Sequence, residues 1–122
     1  ENAIGDKGLV NKAYGMLQIR QPYCSDVNAS QGTKYMAQDC LGNPALSIQI
    51  YNGYMKRYAT PKHLGRPATD QDFARMHNGG PNGYRNPRTL PYWWSVRAKM
   101  TALQNGNAPT GITGKLKWLG VL

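Results

Sequence analysis

Between Pro44 and Pro61 the chain carries the pattern that leaves its fold least freedom. Leu46, Ile50, Tyr54 and Tyr58 recur at every fourth residue, with Ile48, Tyr51 and Met55 widening the stripe. That period is a helix with a broad apolar face, and the rest of the molecule must cover such a face. Asn43 supplies an N-cap and Pro44 a first-turn proline, so the predicted helix runs from Pro44 to about Tyr58. Gly53 interrupts it at a cost of roughly 1 kcal/mol against alanine, which points to another backbone or a ligand passing close.

Two further helices follow from the same logic. Thr69 caps one, with Asp70 and Asp72 at the positive end of its dipole and Phe73, Ala74 and Met76 turned inward, and it stops at His77-Asn78-Gly79-Gly80-Pro81. Thr89 caps the next, Pro91 sits in its first turn, and Trp93, Val96, Met100 and Leu103 form its inward stripe. Elsewhere the punctuation is denser. Residues 1–12 read as irregular chain, residues 13–19 as either a strand or a short buried helix, residues 22–34 as a short helical turn and then loop. The expected fold class is α+β, mainly α, in one small domain over residues 1–104, because 122 residues leave no room for two. Residues 105–122 read as a linker and a short amphipathic tail. Leu116, Trp118, Leu119 and Leu122 beside two lysines mark residues 115–122 as a docking segment for a virion partner or a membrane surface, dispensable for the fold.

Charge narrows the function. Fifteen Lys and Arg against six Asp and Glu give a formal +9, which suits nucleic acid, an anionic membrane surface or an anionic wall polymer. Lys and Arg are dispersed rather than clustered and no nucleic-acid module is present, so no nucleic-acid partner is expected. The carboxylates are Glu1, Asp6, Asp26, Asp39, Asp70 and Asp72, and any two-carboxylate mechanism must draw on these. His63 and His77 stand apart, with no His-x-x-x-His pattern, and two cysteines offer no zinc cage, so no metal or other cofactor is expected. No serine has a Gly-x-Ser-x-Gly setting. Carboxylate chemistry or plain binding remain.

Residues 77–84 place three glycines, two asparagines and a proline between two helices. Glycines expose backbone N–H and C=O groups, and Asn78 and Asn82 add amides, a surface suited to sugar hydroxyls and N-acetyl groups. Tyr84, Tyr92, Trp93 and Trp94 flank the segment and could stack on pyranose faces. A helix C-cap, a turn and a core aromatic cluster account for the same residues.

Four blocks then carry a family resemblance: residues 13–19 (AYGMLQI), 52–58 (NGYMKRY), 73–83 (FARMHNGGPNG) and 89–93 (TLPYW). In that order they resemble the invertebrate-type, destabilase-like lysozymes and their bacterial and phage relatives. The resemblance implies a small, mainly helical lysozyme fold that cleaves the β-1,4 bond between N-acetylmuramic acid and N-acetylglucosamine in peptidoglycan. It implies a glycan groove lined by Tyr14, Gln18, His77, Asn78, Gly79, Asn82 and Trp93, and a functional aspartate at Asp6. Asn78→Ala and Trp93→Ala are each expected to weaken chitooligosaccharide binding with little change in melting temperature. With two cysteines the chain looks closer to the phage and bacterial branch than to the disulfide-dense animal members, which implies an extracellular, periplasmic or virion-associated setting.

The family's acid glutamate lies further upstream of the Asn2-Ala3-Ile4-Gly5-Asp6 block than Glu1 does, on a helix this sequence does not contain. Glu1 is the candidate general acid here. If the chain begins at Glu1, a free α-ammonium beside that carboxyl lowers its pKa where a general acid needs it raised, and a weak lysozyme is expected. A wall-glycan-binding or virion structural protein without the acid is the alternative from another class. Cys24 and Cys40 share a loop-rich stretch, and a protein working outside the reducing cytosol is expected to pair them, although two buried thiols also fit.

Overall fold

The computed structural model describes residues 4, 5 and 12–105, so Glu1, Asp6 and the tail lie outside the described residues. The chain divides into two compact units, Glu1–Thr60 and Pro61–Leu122. The expected mainly helical α+β class holds, with the described strands all in the N-terminal unit.

The N-terminal unit opens on three short antiparallel strands, β1 (Ile4–Gly5), β2 (Ala13–Tyr14) and β3 (Ile19–Arg20), in the order β1-β2-β3. Ile4 faces Tyr14, and Tyr14 in turn faces Ile19. The choice left open for residues 13–19 therefore falls to a hairpin, and burial alternates along it: Ala13, Gly15, Leu17 and Ile19 are buried and the residues between are half-buried. Gly15 enters the turn at φ +78°, with no room for a side chain, since a Cβ there would stand 2.5 Å from the carbonyl oxygen of Cys40.

Helix α1 (Gln21–Gln31) is longer than the helical turn expected for this stretch. Only Cys24 and Val27 are buried on it, too few to write a period in the sequence. Gly32 ends it in the left-handed region at φ +68°, its N–H donating to Asn28 O at 2.9 Å. Asn28 also organises the loop after the helix, its Oδ1 accepting from Thr33 Oγ1 and from Tyr35 N, both at 2.8 Å. A 3₁₀ turn, Ala37–Cys40, leads into α2 (Pro44–Tyr58), which starts where the sequence put it, with Asn43 Oδ1 accepting from Leu46 N at 3.1 Å. Ile50, Tyr51, Tyr54 and Met55 are its buried face. The close protein neighbours at Gly53 are side chains rather than backbone: a Cβ there would lie 2.8 Å from Val27 Cγ1, so α1 packs on α2 at the glycine. Tyr23 stacks on Tyr54 at 3.8 Å, and Asp26 pairs with Arg57 while Tyr58 Oη donates to both its oxygens at 2.7 and 2.8 Å.

Cys24 and Cys40 are free, buried thiols, which corrects the expected disulfide. Cys24 packs as a small apolar group and donates weakly to Tyr35 O at 3.2 Å. Burial, with Cys40 and Asp39 adding to it, pushes its pKa up to about 11.

The C-terminal unit begins with a single helical turn, α3 (Pro61–Leu64). Helix α4 (Asp70–Gly79) has a complete capping box: Thr69 Oγ1 accepts from Asp72 N, and Asp72 Oδ2 accepts from Thr69 N at 2.8 Å. Two 3₁₀ turns, Gly83–Arg85 and Pro87–Thr89, lead to α5 (Leu90–Asn105). Trp93 and Val96 of α5 pack with Ala74 of α4, with Tyr92 and Met100 closing over them.

Asp72 is 2% exposed and takes both guanidinium arms of Arg66, at 2.5 and 2.8 Å. Burial alone would raise its pKa, but the Arg66 and Thr69 bonds outweigh it and hold the carboxyl below its ordinary value. A depressed carboxylate contributes stability above its unfolded pKa of about 3.9 and loses it as pH falls through the folded value. Asp72→Asn is therefore expected to cost about 1–3 kcal/mol at pH 7, with the gap to wild type narrowing as pH falls below the unfolded value of about 3.9, as read from urea unfolding. A gap that stays constant down to pH 2 would show that the charge of Asp72 plays no part.

Candidate functional site

The C-terminal end of α4 runs into residues 80–84, and the chain there is pinned from two sides. From behind, Arg75, only 8% exposed, donates through Nε to Thr89 Oγ1 at 2.8 Å, through Nη1 to Gln71 Oε1 at 2.8 Å and through Nη2 to Asn86 O at 2.9 Å. Thr89 is buried, and its single hydroxyl proton lies between the carbonyls of Gly83, at 2.7 Å, and Asn86, at 2.8 Å. It is thus spent on the turn instead of capping α5 as the sequence suggested. Gly79 lies against the same threonine, where a Cβ would stand 2.4 Å from Thr89 Cγ2. From α3, His63 Nε2 donates to Pro81 O at 2.6 Å, and its ring meets Tyr84 edge-on at 5.5 Å. Because a carbonyl can only accept, the hydrogen bond places a proton on Nε2.

What this frame holds outward is a strip of Asn78, Gly79 and Asn82, all exposed. Neither asparagine side chain bonds to another described residue. His77 is half-buried on the last turn of α4. Four of the expected groove residues, His77, Asn78, Gly79 and Asn82, therefore come together on one short segment. Trp93 does not join them as an open platform. It is 9% exposed and sits in the α4–α5 core, so Trp93→Ala should cost stability, contrary to the unchanged melting temperature expected from the sequence.

Tyr14 and Gln18 belong to the hairpin of the N-terminal unit and are half-buried. Gln18 adopts φ +52°, a left-handed conformation uncommon for a side chain of this size, and both its backbone N–H and its Nε2 donate to Gly15 O, at 3.2 and 2.9 Å. Strain of that kind gathers at ligand-binding positions.

Two of the four described aspartates, Asp72 and Asp26, are already engaged. Asp72 is held ionised, and both oxygens of Asp26 carry the Tyr58 hydroxyl bond with Arg57 beside them. Among the described residues no group of three or more His, Cys, Asp or Glu could hold a metal ion. What the described site can do by itself is recognise hydroxyl and amide groups.

A family model described as Destabilase matches residues 4–99. The chain belongs to the Destabilase family. Its sequence is 43% identical over 79 residues to an invertebrate-type lysozyme of Ruditapes philippinarum, covering 65% of this chain and 54% of that protein. A lysozyme of Magallana gigas is 39% identical over 82 residues, covering 67% and 56%. The crystal structure of Tapes japonica lysozyme superposes with a TM-score of 0.61 at 34% identity, over 79% of this chain and 72% of that one. This Destabilase chain thus spans about half the length of the curated relatives it matches. Within it, Arg75, Thr89 and His63 are the supports that sequence reasoning misses. His63 looks isolated in the sequence because its partners, Pro81 and Tyr84, are far along the chain.

Proposed function

We propose that this chain is a peptidoglycan hydrolase of the muramidase type, binding the glycan through Asn78, Gly79, Asn82 and His77 and drawing its carboxylates from Glu1 and Asp6. The observation that carries the reading is the pair of unengaged amides on a turn braced from behind by Arg75 and Thr89, in a chain of the Destabilase family. Asparagine amides match the donor and acceptor pattern of N-acetyl and hydroxyl groups, and a braced turn loses little entropy on binding. Tyr14 and Gln18 remain glycan-binding candidates on the family resemblance alone, and Trp93 supports the Asn78 turn through the α4–α5 core.

The reaction needs a protonated acid at the leaving oxygen and an ionised carboxylate at the sugar. Asp72 is tied to Arg66, and Asp26 to Arg57 and Tyr58, which takes two of the six carboxylates out of the acid and base work; of the rest, the family resemblance favours Asp6, with Glu1 as the candidate acid. No cofactor enters such a mechanism. The net charge of +9 draws the chain to anionic walls. The low cysteine content sets the chain apart from the disulfide-dense animal members, and a phage or bacterial wall-lysis setting is proposed on that likeness.

The double substitution Asn78→Ala/Asn82→Ala is expected to weaken chitotriose binding about tenfold, the loss of one to two neutral hydrogen bonds, with the melting temperature nearly unchanged. Titration calorimetry and thermal unfolding read the two halves. Unchanged affinity would remove the turn from the site. Binding without clearing of a peptidoglycan suspension would favour a wall-binding protein over a hydrolase.

A further inference from the structure

From Phe73 onward the sequence contains no Asp or Glu, although Arg75, Arg85, Arg88, Arg97 and Lys99 fall within the described part of that stretch. Arg75 is buried and bonded, but Arg88 and Arg97 are exposed and their side chains bond to no other described residue. One turn before Arg97 on α5, Trp94 is 55% exposed, on the side of the helix away from the Trp93 and Val96 packing. Pro91, Trp94, Arg97 and Thr101 are exposed at helical spacing, so one outward face of α5 presents an indole with a guanidinium one turn on.

We propose that this face of α5 binds a phosphodiester-linked wall polymer carrying sugar substituents, separately from the Asn78 turn. An exposed indole is a platform for a sugar ring, which is apolar on its faces and polar at its rim. Side chains three apart on a helix have Cβ atoms about 5–6 Å apart, comparable with the span from a pyranose ring to a phosphate beside it. A guanidinium fork matches phosphate oxygens, and among the described residues no carboxylate bonds to Arg97. A lipid surface fits less well: the outward face carries one large apolar side chain among Pro91, Ser95, Arg97, Ala98 and Thr101, too little to seat a helix in the headgroup region. The partner also follows from the wall-directed function proposed above, on which this inference rests.

The test is binding of the full chain to purified glycosylated poly(glycerol phosphate), measured by calorimetry at 50 and 200 mM salt. Trp94→Ala is expected to weaken binding at least fivefold. Arg88→Gln/Arg97→Gln should weaken it at least tenfold and lower the slope of log affinity against log salt by about two, one for each phosphate no longer neutralised. Chitotriose affinity should be unchanged in both variants. Wild-type affinity for the polymer retained in both variants overturns the proposal, as does binding to phosphatidylglycerol vesicles with none to the polymer. Equal affinity for single-stranded DNA, insensitive to Trp94→Ala, overturns it too, because plain charge attraction would then suffice. If the polymer results hold while the protein neither binds chitotriose nor clears peptidoglycan, the hydrolase reading falls and this surface stands. If chitotriose binds and the polymer does not, this surface alone falls.

Discussion

Gly83→Ala is expected to destabilise the C-terminal unit by at least about 3 kcal/mol, the upper range for forcing an extra methyl into a packed site. The reason is space rather than conformational freedom. A Cβ at Gly83 would stand 2.2 Å from the carbonyl oxygen of Arg75, 3.0 Å from its carbonyl carbon and 3.2 Å from Met76 Cα. All three are backbone atoms of α4, so no rotamer change relieves the clash. The turn must lift off the helix, and it cannot lift without cost. Gly83 N donates to Gly80 O at 2.8 Å, while its carbonyl accepts from Thr89 Oγ1 at 2.7 Å and from Asn86 N at 3.1 Å. Displacing residue 83 therefore loosens Thr89, and with Thr89 the point where Arg75 grips the loop. Thermal unfolding should show a fall of about 10–20 °C for a chain of this size, and chitotriose binding should be lost with it. A melting temperature within a few degrees of wild type would mean that the turn does not rest on α4.

That close approach is written nowhere in the sequence, unlike the helices on either side of it. The helix from Pro44 to Tyr58 is legible because cap, proline and period agree, and the capping box at Thr69 because its residues are three apart. Helix α1 exceeds its expected length because it buries only Cys24 and Val27, and its stop is a single glycine at position 32. In the candidate site, Asn78 and Asn82 are recognisable as outward amides, since two asparagines among glycines have nowhere else to go. Trp93 lies on the inward stripe of its helix, and a block resemblance does not separate a groove aromatic from a core one. Arg75 gives no sign at all. It reads as one more solvated cation on a helix, because the acceptors that hold it buried are a hydroxyl and a carbonyl 14 and 11 residues away. Local pattern reports local bonds, and the bracing of this turn is made across two 3₁₀ turns.

Arg75→Met is accordingly expected to cost about 2–4 kcal/mol, judged from charge-assisted hydrogen bonds at about 1.5–3 kcal/mol each less the desolvation a buried guanidinium already bears. Methionine fills much of the same volume, so the loss is that of the bonds and not of a cavity. The acceptors are not all stranded: Asn86 O keeps the Thr89 hydroxyl, and half-buried Gln71 can turn toward water. This is why the figure stays below the sum of three bonds. Lysine should recover little, because one ammonium cannot meet acceptors that the guanidinium reaches through Nε, Nη1 and Nη2 in a fixed plane. A second signature separates this residue from Asp72. Thr89, Gln71 and Asn86, the acceptors around Arg75, are all neutral, and arginine keeps its charge across the accessible range, so the deficit of Arg75→Met should be the same at pH 4 and pH 8 by urea unfolding. The deficit of Asp72→Asn should instead shrink toward low pH, as its carboxylate takes up a proton. If the Arg75→Met deficit varied with pH between 4 and 8, an ionisable partner would have to hold the guanidinium. The neutral brace behind Asn78 and Asn82 would then have to be abandoned, because a carboxylate, and not the turn's own carbonyl and hydroxyl, would be holding the loop to α4.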